Sequence, residues 1–461
     1  IDGGSGSDKL QGDKGADTIQ GDGGDDVARG GPGIDRCAAE REYSCEKDPK
    51  IPGPLVTWKM PDRYGKPSAD GIVRPTADLD PGRYTVRFKL RRGNGKACKA
   101  TDRVKVTSAK GRFTTPNPKK PCTIEGRFPE GRYKVTFKLS TSRGSGRTTH
   151  RVTVQDWLIV GIGDSNGSGE GTPDKPRGKK AKWVDEQCHR SANSYQAISA
   201  RGLERRDKKT SVTFRHLSCS GAQIETGLLK RYEGIVPGEK LKPQLNVLDT
   251  IAGKREIDAV IISVGVNDLH FGEMVAFCVK YEDCPNRRWE VFGTRTLDQQ
   301  MRRNLDALPG LYRQLDRRLE RARIPADRVY ITEYFDSTKG RDGQVCDPLI
   351  RFGYGLRDFD QAEATWAANE VLHPLNDAVR TAAARYGWNY VGGAESGFVP
   401  HGYCAGDESW IVTRAQSKAN QGDENGTLHS TLEGNVFQRR QVVPVIVDDF
   451  YDDAGKPRRP R

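Results

Sequence analysis

The sequence has few apolar residues and no long run of them. The hydrophobic fraction is 35% over 461 residues. No stretch approaches the roughly 18 apolar residues that cross a bilayer as a helix, so no transmembrane segment is expected. No C-x-x-C pair occurs, and no His/Cys cluster has zinc-ligand spacing, so the sequence shows no thiolate metal site. There is also no RNA-type aromatic motif and no helix-turn-helix pattern. The net charge of +13 is therefore read as scattered Lys and Arg, and no nucleic-acid partner is expected. The basic end, Lys456 to Arg461, is short and Pro-rich and reads as a solvated tail, within a basic tail assigned to residues 450–461.

What the sequence does hold is glycine, cysteine and length. The 52 glycines imply that part of the chain is turn-rich. The ten cysteines fall into local couples: Cys37 with Cys45, Cys98 with Cys122, Cys188 with Cys219, Cys278 with Cys284, and Cys346 with Cys404. An even count without metal spacing favours disulfides in an oxidising compartment, although connectivity is open at this stage. Length sets a prior of about three domains.

Residues 3–38 divide into four nine-residue units, GGSGSDKLQ, GDKGADTIQ, GDGGDDVAR and GGPGIDRCA. Glycines permit tight turns, and the recurring Asp8, Asp17, Asp26 and Asp35 offer hard oxygen ligands. The array, assigned to residues 1–46, resembles the RTX (haemolysin-type) calcium-binding nonapeptide repeat. That resemblance implies a short parallel β-roll in which alternate units share a side. Asp8 would then pair with Asp26, Asp17 with Asp35, and structural Ca²⁺ would lie between turns. Ile1 and Asp2 fit the last two positions of an earlier unit, so a longer native protein with an upstream signal peptide is expected.

After a Pro-rich linker, residues 50–155 alternate apolar and polar side chains. The runs Tyr84–Leu90 and Tyr133–Leu139 are near copies, each following a Pro/Gly turn. Period-two strands at such intervals predict an antiparallel β-sandwich similar to immunoglobulin or fibronectin type III modules. A Cys98–Cys122 bridge would tie it together. Nothing here could carry chemistry, which leaves a spacer or a contact to a cell surface or polysaccharide.

From residue 156 to 449 strands and amphipathic helices alternate, which predicts a three-layer α/β/α domain with a parallel sheet. Candidate strands are Trp157–Ile162, Val212–His216, Ala259–Val264, Val329–Glu333 and Asn389–Val391. Helical spacing runs from Leu297 to Leu308, and resumes at Leu315 and Leu319 after Pro309-Gly310. A second helix spans Trp366 to Tyr386 despite Pro374. Four blocks fall at strand ends or late in the domain: Gly163 to Gly171 (GDSNGSGEG), Cys219-Ser220-Gly221-Ala222, Gly265-Val266-Asn267-Asp268, and the loop Asp423 to His429. In this order they resemble the SGNH (GDSL) hydrolases, closest to secreted actinobacterial esterases and lipases.

The resemblance implies a secreted serine esterase or lipase acting on carboxylic esters, without a catalytic cofactor. Ser165 would be the nucleophile and His429 its base. The Ser165 and Gly221 backbone N–H groups and the Asn267 side chain would form the oxyanion hole. The usual D-x-x-H motif has Gly426 at its acid position. The imidazole would then be oriented by a main-chain carbonyl, which Gly426 could supply; Asp423 or Glu424 could instead reach it. His189, His270 and His401 read as surface or structural residues. The stretch around Ser165 also fits G-x-S-x-G, but a serine after the domain's first strand argues against that elbow. Two other functions fit the residues: a carbohydrate acetylesterase, and a calcium-dependent surface-binding protein with an inactive hydrolase-like domain.

Overall fold

The computed structural model describes residues 1–33, 35–45, 51–65, 67–115, 117, 119–141, 144–350 and 358–458. The described residues form two compact units, one within residues 1–61 and 82–154, the other within residues 62–81 and 155–458.

The first unit is built of strands. β1 (Lys9–Gln11), β3 (Val27–Arg29) and β5 (Arg41–Tyr43) form one parallel sheet, and β2 (Thr18–Gln20) pairs in parallel with β4 (Arg36–Ala38). Successive nine-residue units thus alternate between two sides of a roll. A disulfide from Cys37 to Cys45 closes the end of this roll. Seven antiparallel strands follow. The first sheet holds β6 (Leu55–Lys59), β7 (Tyr84–Arg91), β10 (Thr123–Phe128) and β9 (Arg112–Phe113). The second holds β12 (Gly144–Val154), β11 (Gly131–Thr141) and β8 (Arg103–Thr107). Period-two burial in β7 puts Tyr84, Val86, Phe88 and Leu90 into a core shared with Val135, Phe137 and Leu139 of β11. A Cys98–Cys122 disulfide closes part of this region. Lys50 of the linker and residues 459–461 of the tail lie outside the described residues.

The second unit has five parallel strands in the order β14-β13-β15-β16-β17. They are β13 (Asp156–Gly163), β14 (Ser211–His216), β15 (Ala259–Ser263), β16 (Val329–Thr332) and β17 (Asn389–Val391), each within a residue or two of the predicted strand. Their apolar runs are continuous because both faces are covered. Leu158, Val160 and Ile162 pack on one face, while Trp157 and Ile159 pack on the other.

Ten α-helices fall in this unit among the described residues: α1 (Ser165–Ser168), α2 (Tyr195–Arg206), α3 (Gln244–Ala252), α4 (Phe271–Cys278), α5 (Leu297–Arg321), α6 (Gln361–Trp366), α7 (His373–Tyr386), α8 (Ala394–Gly397), α9 (Arg414–Gln421) and α10 (Leu432–Phe450). Leu248 of α3, Tyr312 of α5 and Val379 of α7 cover the first face, and Leu203 of α2 and Val442 of α10 the second. The result is the three-layer domain expected from the sequence.

Three features differ from the sequence expectation. The α5 helix does not pause at Pro309-Gly310 but runs 25 residues unbroken. Its capping box at Thr296 and Gln299 starts it firmly, and the buried stripe Leu308, Tyr312, Leu315 and Leu319 carries it onward. Pro309 sits on the exposed face, where water can bond the carbonyl left by its missing N–H. The second helix begins earlier, at Gln361, and widens to a π-turn over Ala367–Leu372 just before Pro374. A wide turn relieves the clash of a proline ring with the carbonyl four residues back. Lastly, residues 62–81 pack with the second unit, not with the sandwich strands around them. There Arg63 N donates to Glu204 and Tyr64 stacks on Phe214.

Candidate active site

The strand order places β13, the first strand of this unit, between β14 and β15. This is a switch point, where an open parallel sheet leaves a crevice at its carboxyl ends. Ser165 follows β13, Gly221 follows β14 and Asn267 follows β15. All three, together with His429, line one cavity of about 830 Å³.

Ser165 is held by its neighbours. Gly163 has φ of +129°, and a Cβ there would meet Ser263 O at 1.9 Å, so the chain can reverse at this point only with glycine. Gln244 pairs with both backbone groups of Gly163, at 2.7 and 2.8 Å. Asp164 N donates to Ser263 O, and the Asp164 side chain caps α1 by accepting from Asn166 N. The Asp164 carboxylate also accepts from Ser263 Oγ at 3.0 Å and Tyr334 Oη at 2.5 Å. Burial pushes it up to about 6 against these bonds. Ser165 itself is 8% exposed, and among the described residues its hydroxyl takes no hydrogen bond.

The Gly221 loop is fixed from three sides. A disulfide joins Cys219 to Cys188. Cys219 N donates to Gly163 O, and Tyr232 Oη donates to Ser220 O at 2.8 Å. Gly221 has φ of +79°, and a Cβ would lie 2.2 Å from Tyr232 Oη. Among the described residues, the backbone N–H groups of Ser165 and Gly221 donate to no protein acceptor. Asn267 gives one amide hydrogen to Ala222 O at 3.1 Å, which orients the group and leaves its second N–H. Next to it, Asp268 accepts from Ile224 N, tying this loop to the Gly221 loop. Burial pushes Asp268 up to about 7.

His429 lies between α9 and α10. Its Nδ1 is 3.2 Å from Thr427 O, so a main-chain carbonyl faces the ring, one residue along from Gly426. Leu428, with φ of +66°, turns the chain so that this carbonyl points back. Burial lowers the His429 pKa, opposed by the charge of Glu170 and by the surrounding carbonyls. Neither carboxylate of the loop bonds the ring. Asp423 accepts from Gln421 Nε2 at 2.7 Å and Asn425 N at 2.9 Å. Glu424 pairs with Arg414 and Lys418 at 2.7 Å each, which hold it down at about 2.

Much of the remaining lining is apolar, with Phe271, Val275, Val279, Leu349, Phe359 and Leu372, although Lys280, Arg414 and Glu424 also border the cavity. Sequence reasoning leaves out several residues that shape the polar end. Glu170 has no assigned role inside the GDSNGSGEG block, yet it is buried at 2% exposure and bonded to His189. His189 is thus not a surface residue but a structural one, the buried partner of that acid. Gln421, Tyr334 and Gln244 give no motif signal at all.

All ten cysteines pair as their spacing suggests. Cys37 is bonded to Cys45, Cys98 to Cys122, Cys188 to Cys219, Cys278 to Cys284, and Cys346 to Cys404. These are covalent ties and not site residues. Cys45, on the first unit, has no part in the cavity. Cys284 holds the turn after α4, and Cys404 ties the loop before α9 to the segment after β16.

In the repeats, Asp8 N donates to Asp26 Oδ1 and Asp17 N to Asp35 Oδ1, each at 2.9 Å. The second carboxylate oxygens of Asp8, Asp17 and Asp26 are buried without a hydrogen-bond partner among the described residues. No three His, Cys, Asp or Glu side chains converge as a metal cluster among the described residues.

A parallel three-layer domain with a serine, a histidine and unengaged backbone N–H groups around one cavity at its strand ends holds the groups that ester hydrolysis uses. The chain belongs to the GDSL-like Lipase/Acylhydrolase family, whose model matches residues 162–435. Residues 2–37 match the RTX calcium-binding nonapeptide repeat. Among solved structures the chain is similar to an extracellular lipase from Streptomyces rimosus, at 21% identity over 63% of this chain and 98% of that one, TM-score 0.40. It is also similar to a putative GDSL-like lipase from Parabacteroides merdae, at 14% identity over 63% and 96%, TM-score 0.31. A family two carbohydrate esterase from Clostridium thermocellum, an active-site mutant, aligns at 13% identity over 86% and 98%, TM-score 0.31. No curated protein sequence matches the chain. No helix among the described residues is long and apolar enough to cross a membrane.

Proposed function

We propose that this chain is a secreted serine esterase that cleaves carboxylic esters bearing an extended apolar acyl group. One observation carries the proposal: a single cavity is lined by Ser165, His429, Gly221 and Asn267 together with many apolar side chains, and the Ser165 and Gly221 backbone N–H groups are unengaged among the described residues. Its volume of about 830 Å³ is in the range that encloses a whole small-molecule ligand.

Ser165 Oγ attacks the ester carbonyl while His429 Nε2 takes its proton. The Nδ1–H donates to Thr427 O, which fixes the tautomer. The tetrahedral oxyanion receives hydrogen bonds from Ser165 N–H, Gly221 N–H and the second N–H of Asn267. Collapse returns the proton to the leaving alcohol and leaves an acyl-serine. Water, activated by the same histidine, then releases the acid. The absence of a Ser165–His429 hydrogen bond fits this sequence of events, because such bonds often tighten only when substrate is bound.

The repeats fit Ca²⁺. Buried carboxylate oxygens without partners are costly unless a cation or proton meets them. Main-chain carbonyls of the glycine turns would complete a mainly oxygen ligand set, as Ca²⁺ takes. The disulfides suit an oxidising exterior, and the strand-rich unit is left the role of spacer or surface contact.

The test is a series of p-nitrophenyl esters from acetyl to long-chain acyl, with phospholipid and acetylated xylan added. Ser165→Ala should abolish hydrolysis of all of them with thermal unfolding nearly unchanged, and kcat/KM of the parent should rise from acetyl toward longer chains. A parent that cleaves acetylated xylan and ignores longer acyl chains would overturn the acyl assignment.

A further inference from the structure

Acyl transfer makes His429 an imidazolium, and the usual partner of that cation is a carboxylate on Nδ1. Here the Nδ1 partner is the Thr427 carbonyl, and Asp423 and Glu424 are engaged elsewhere. A different anion is buried in the wall of the same cavity. Glu170, in the same block as the serine, borders the cavity that Ser165 and His429 share. Its neighbour Gly171 sits directly against the His429 loop: a Cβ on it would lie 3.1 Å from Gly426 O and 3.4 Å from His429 Cβ.

Three side chains hold the Glu170 carboxylate. His189 Nδ1 is 2.9 Å away, Gln421 Nε2 donates at 2.6 Å, and Ser220 Oγ donates as well. Glu170 N donates to Ser165 O at 3.2 Å, which fixes the backbone. Gln421 bridges onward to Asp423 and takes Gly171 N at 3.1 Å. The acid therefore links the nucleophile loop, the Gly221 loop and the His429 loop. His189, itself 4% exposed and stacked on Trp183 at 4.3 Å, is held in place against the carboxylate.

We propose that Glu170 is a positioning residue that supplies through space the negative charge His429 lacks at Nδ1, and that His189 sets how much of that charge the ring feels. The proposal rests on the Ser165–His429 reading above. A buried anion stabilises a nearby cation more than an exposed one, because little water screens it. His189 tempers it by pairing with the same carboxylate. Asp423 and Glu186 act electrostatically on His189, and Glu170 on the Tyr232 hydroxyl, while the carbonyl at the His429 ring is that of Thr427. Arg414 and Glu424, on the cavity wall, neutralise each other. Burial holds His429 below the ordinary histidine value, and Glu170, bonded to His189, holds His189 above it against its own burial.

The two side chains then act in opposite directions on one observable. The acid limb of kcat/KM against pH reports the base of the free enzyme. Glu170→Gln removes the anion, so the limb should move to lower pH by about one unit, with kcat reduced about tenfold or more. His189→Gln removes the tempering cation and keeps a donor to Glu170, so the limb should move to higher pH. A role confined to holding the fold would lower the amount of active enzyme and leave the limb in place. The experiment uses the full chain, p-nitrophenyl butyrate, thermal melts of each variant and His429→Ala alongside. Opposite shifts support the proposal. An unmoved limb in a Glu170→Gln variant that melts like the parent overturns it. If that variant does not fold, His189→Gln decides alone, and an unmoved or downward limb overturns it. If His429→Ala hydrolyses at the parent rate, the reading beneath the proposal fails, visibly in that variant.

Discussion

His429 takes its orientation from Thr427 O, a dipole that no side-chain substitution removes. Losing a triad carboxylate can cost about 10⁴ in kcat. Here the two nearby loop carboxylates serve other partners: Asp423 caps Asn425 N, and Glu424 answers Arg414 and Lys418. Asp423→Asn and Glu424→Gln should therefore each lower kcat less than about tenfold, under roughly 1.4 kcal/mol, whereas His429→Ala should remove nearly all activity. Steady-state kinetics of the three variants checks this. A thousandfold loss in either folded carboxylate variant would show an acid in contact with the ring. Much of this site is legible in the sequence, because Ser165, Gly221 and Asn267 each sit in a short block after a strand. The carbonyl facing the ring belongs to Thr427 and not to Gly426, since the positive φ of Leu428 has no signature in a leucine. Glu170 stands in the serine block but looks like one more turn residue. Its bonds to His189, Gln421 and Ser220 are made only in the fold, which brings those residues to it.

At the scale of elements, strands are the easiest part to read. Apolar runs bounded by turn residues place all five strands of the parallel sheet, because continuous burial on both faces leaves a plain pattern. Helix limits are harder. Pro309 and Pro374 look like stops, but a buried stripe and a π-turn outweigh one lost hydrogen bond each. The move of residues 62–81 to the second unit is not legible, since contacts such as Tyr64 on Phe214 are distant in sequence. The Cys188–Cys219 bridge spans 31 residues and ends just before Gly221. Replacing both cysteines by serine should cost about 3–4 kcal/mol of stability by loop entropy. It should also lower kcat more than it changes KM, because the Gly221 N–H loses its fixed position. Denaturant unfolding and kinetics on the double variant check both effects. Unchanged stability and kcat would show that Tyr232 and Gly163 hold the loop unaided.

For the molecule as a whole, the repeat unit is the part that depends on solvent composition. Asp8, Asp17 and Asp26 each have one carboxylate oxygen buried without a hydrogen bond among the described residues, which is unfavourable without a counter-charge. Millimolar Ca²⁺ should therefore raise the β-signal in circular dichroism and the melting temperature of the full chain. Saturation at a hundred times Kd would add about 2.7 kcal/mol. Identical spectra and melts in Ca²⁺ and in chelator would show that the roll stands without metal. The four-unit period makes this region legible; which side each unit takes follows from the alternation of β1, β3 and β5 against β2 and β4.

Everything assigned to the second unit turns on Ser165 being the nucleophile. Incubating the full chain with a fluorophosphonate and mapping the adduct by mass spectrometry tests this directly, since the reagent needs an activated serine and no knowledge of the natural ester. The expected result is a single adduct on the peptide carrying Ser165, absent in Ser165→Ala and strongly reduced in His429→Ala. An unlabelled Ser165, or an adduct on another serine with ester hydrolysis surviving in Ser165→Ala, would contradict it.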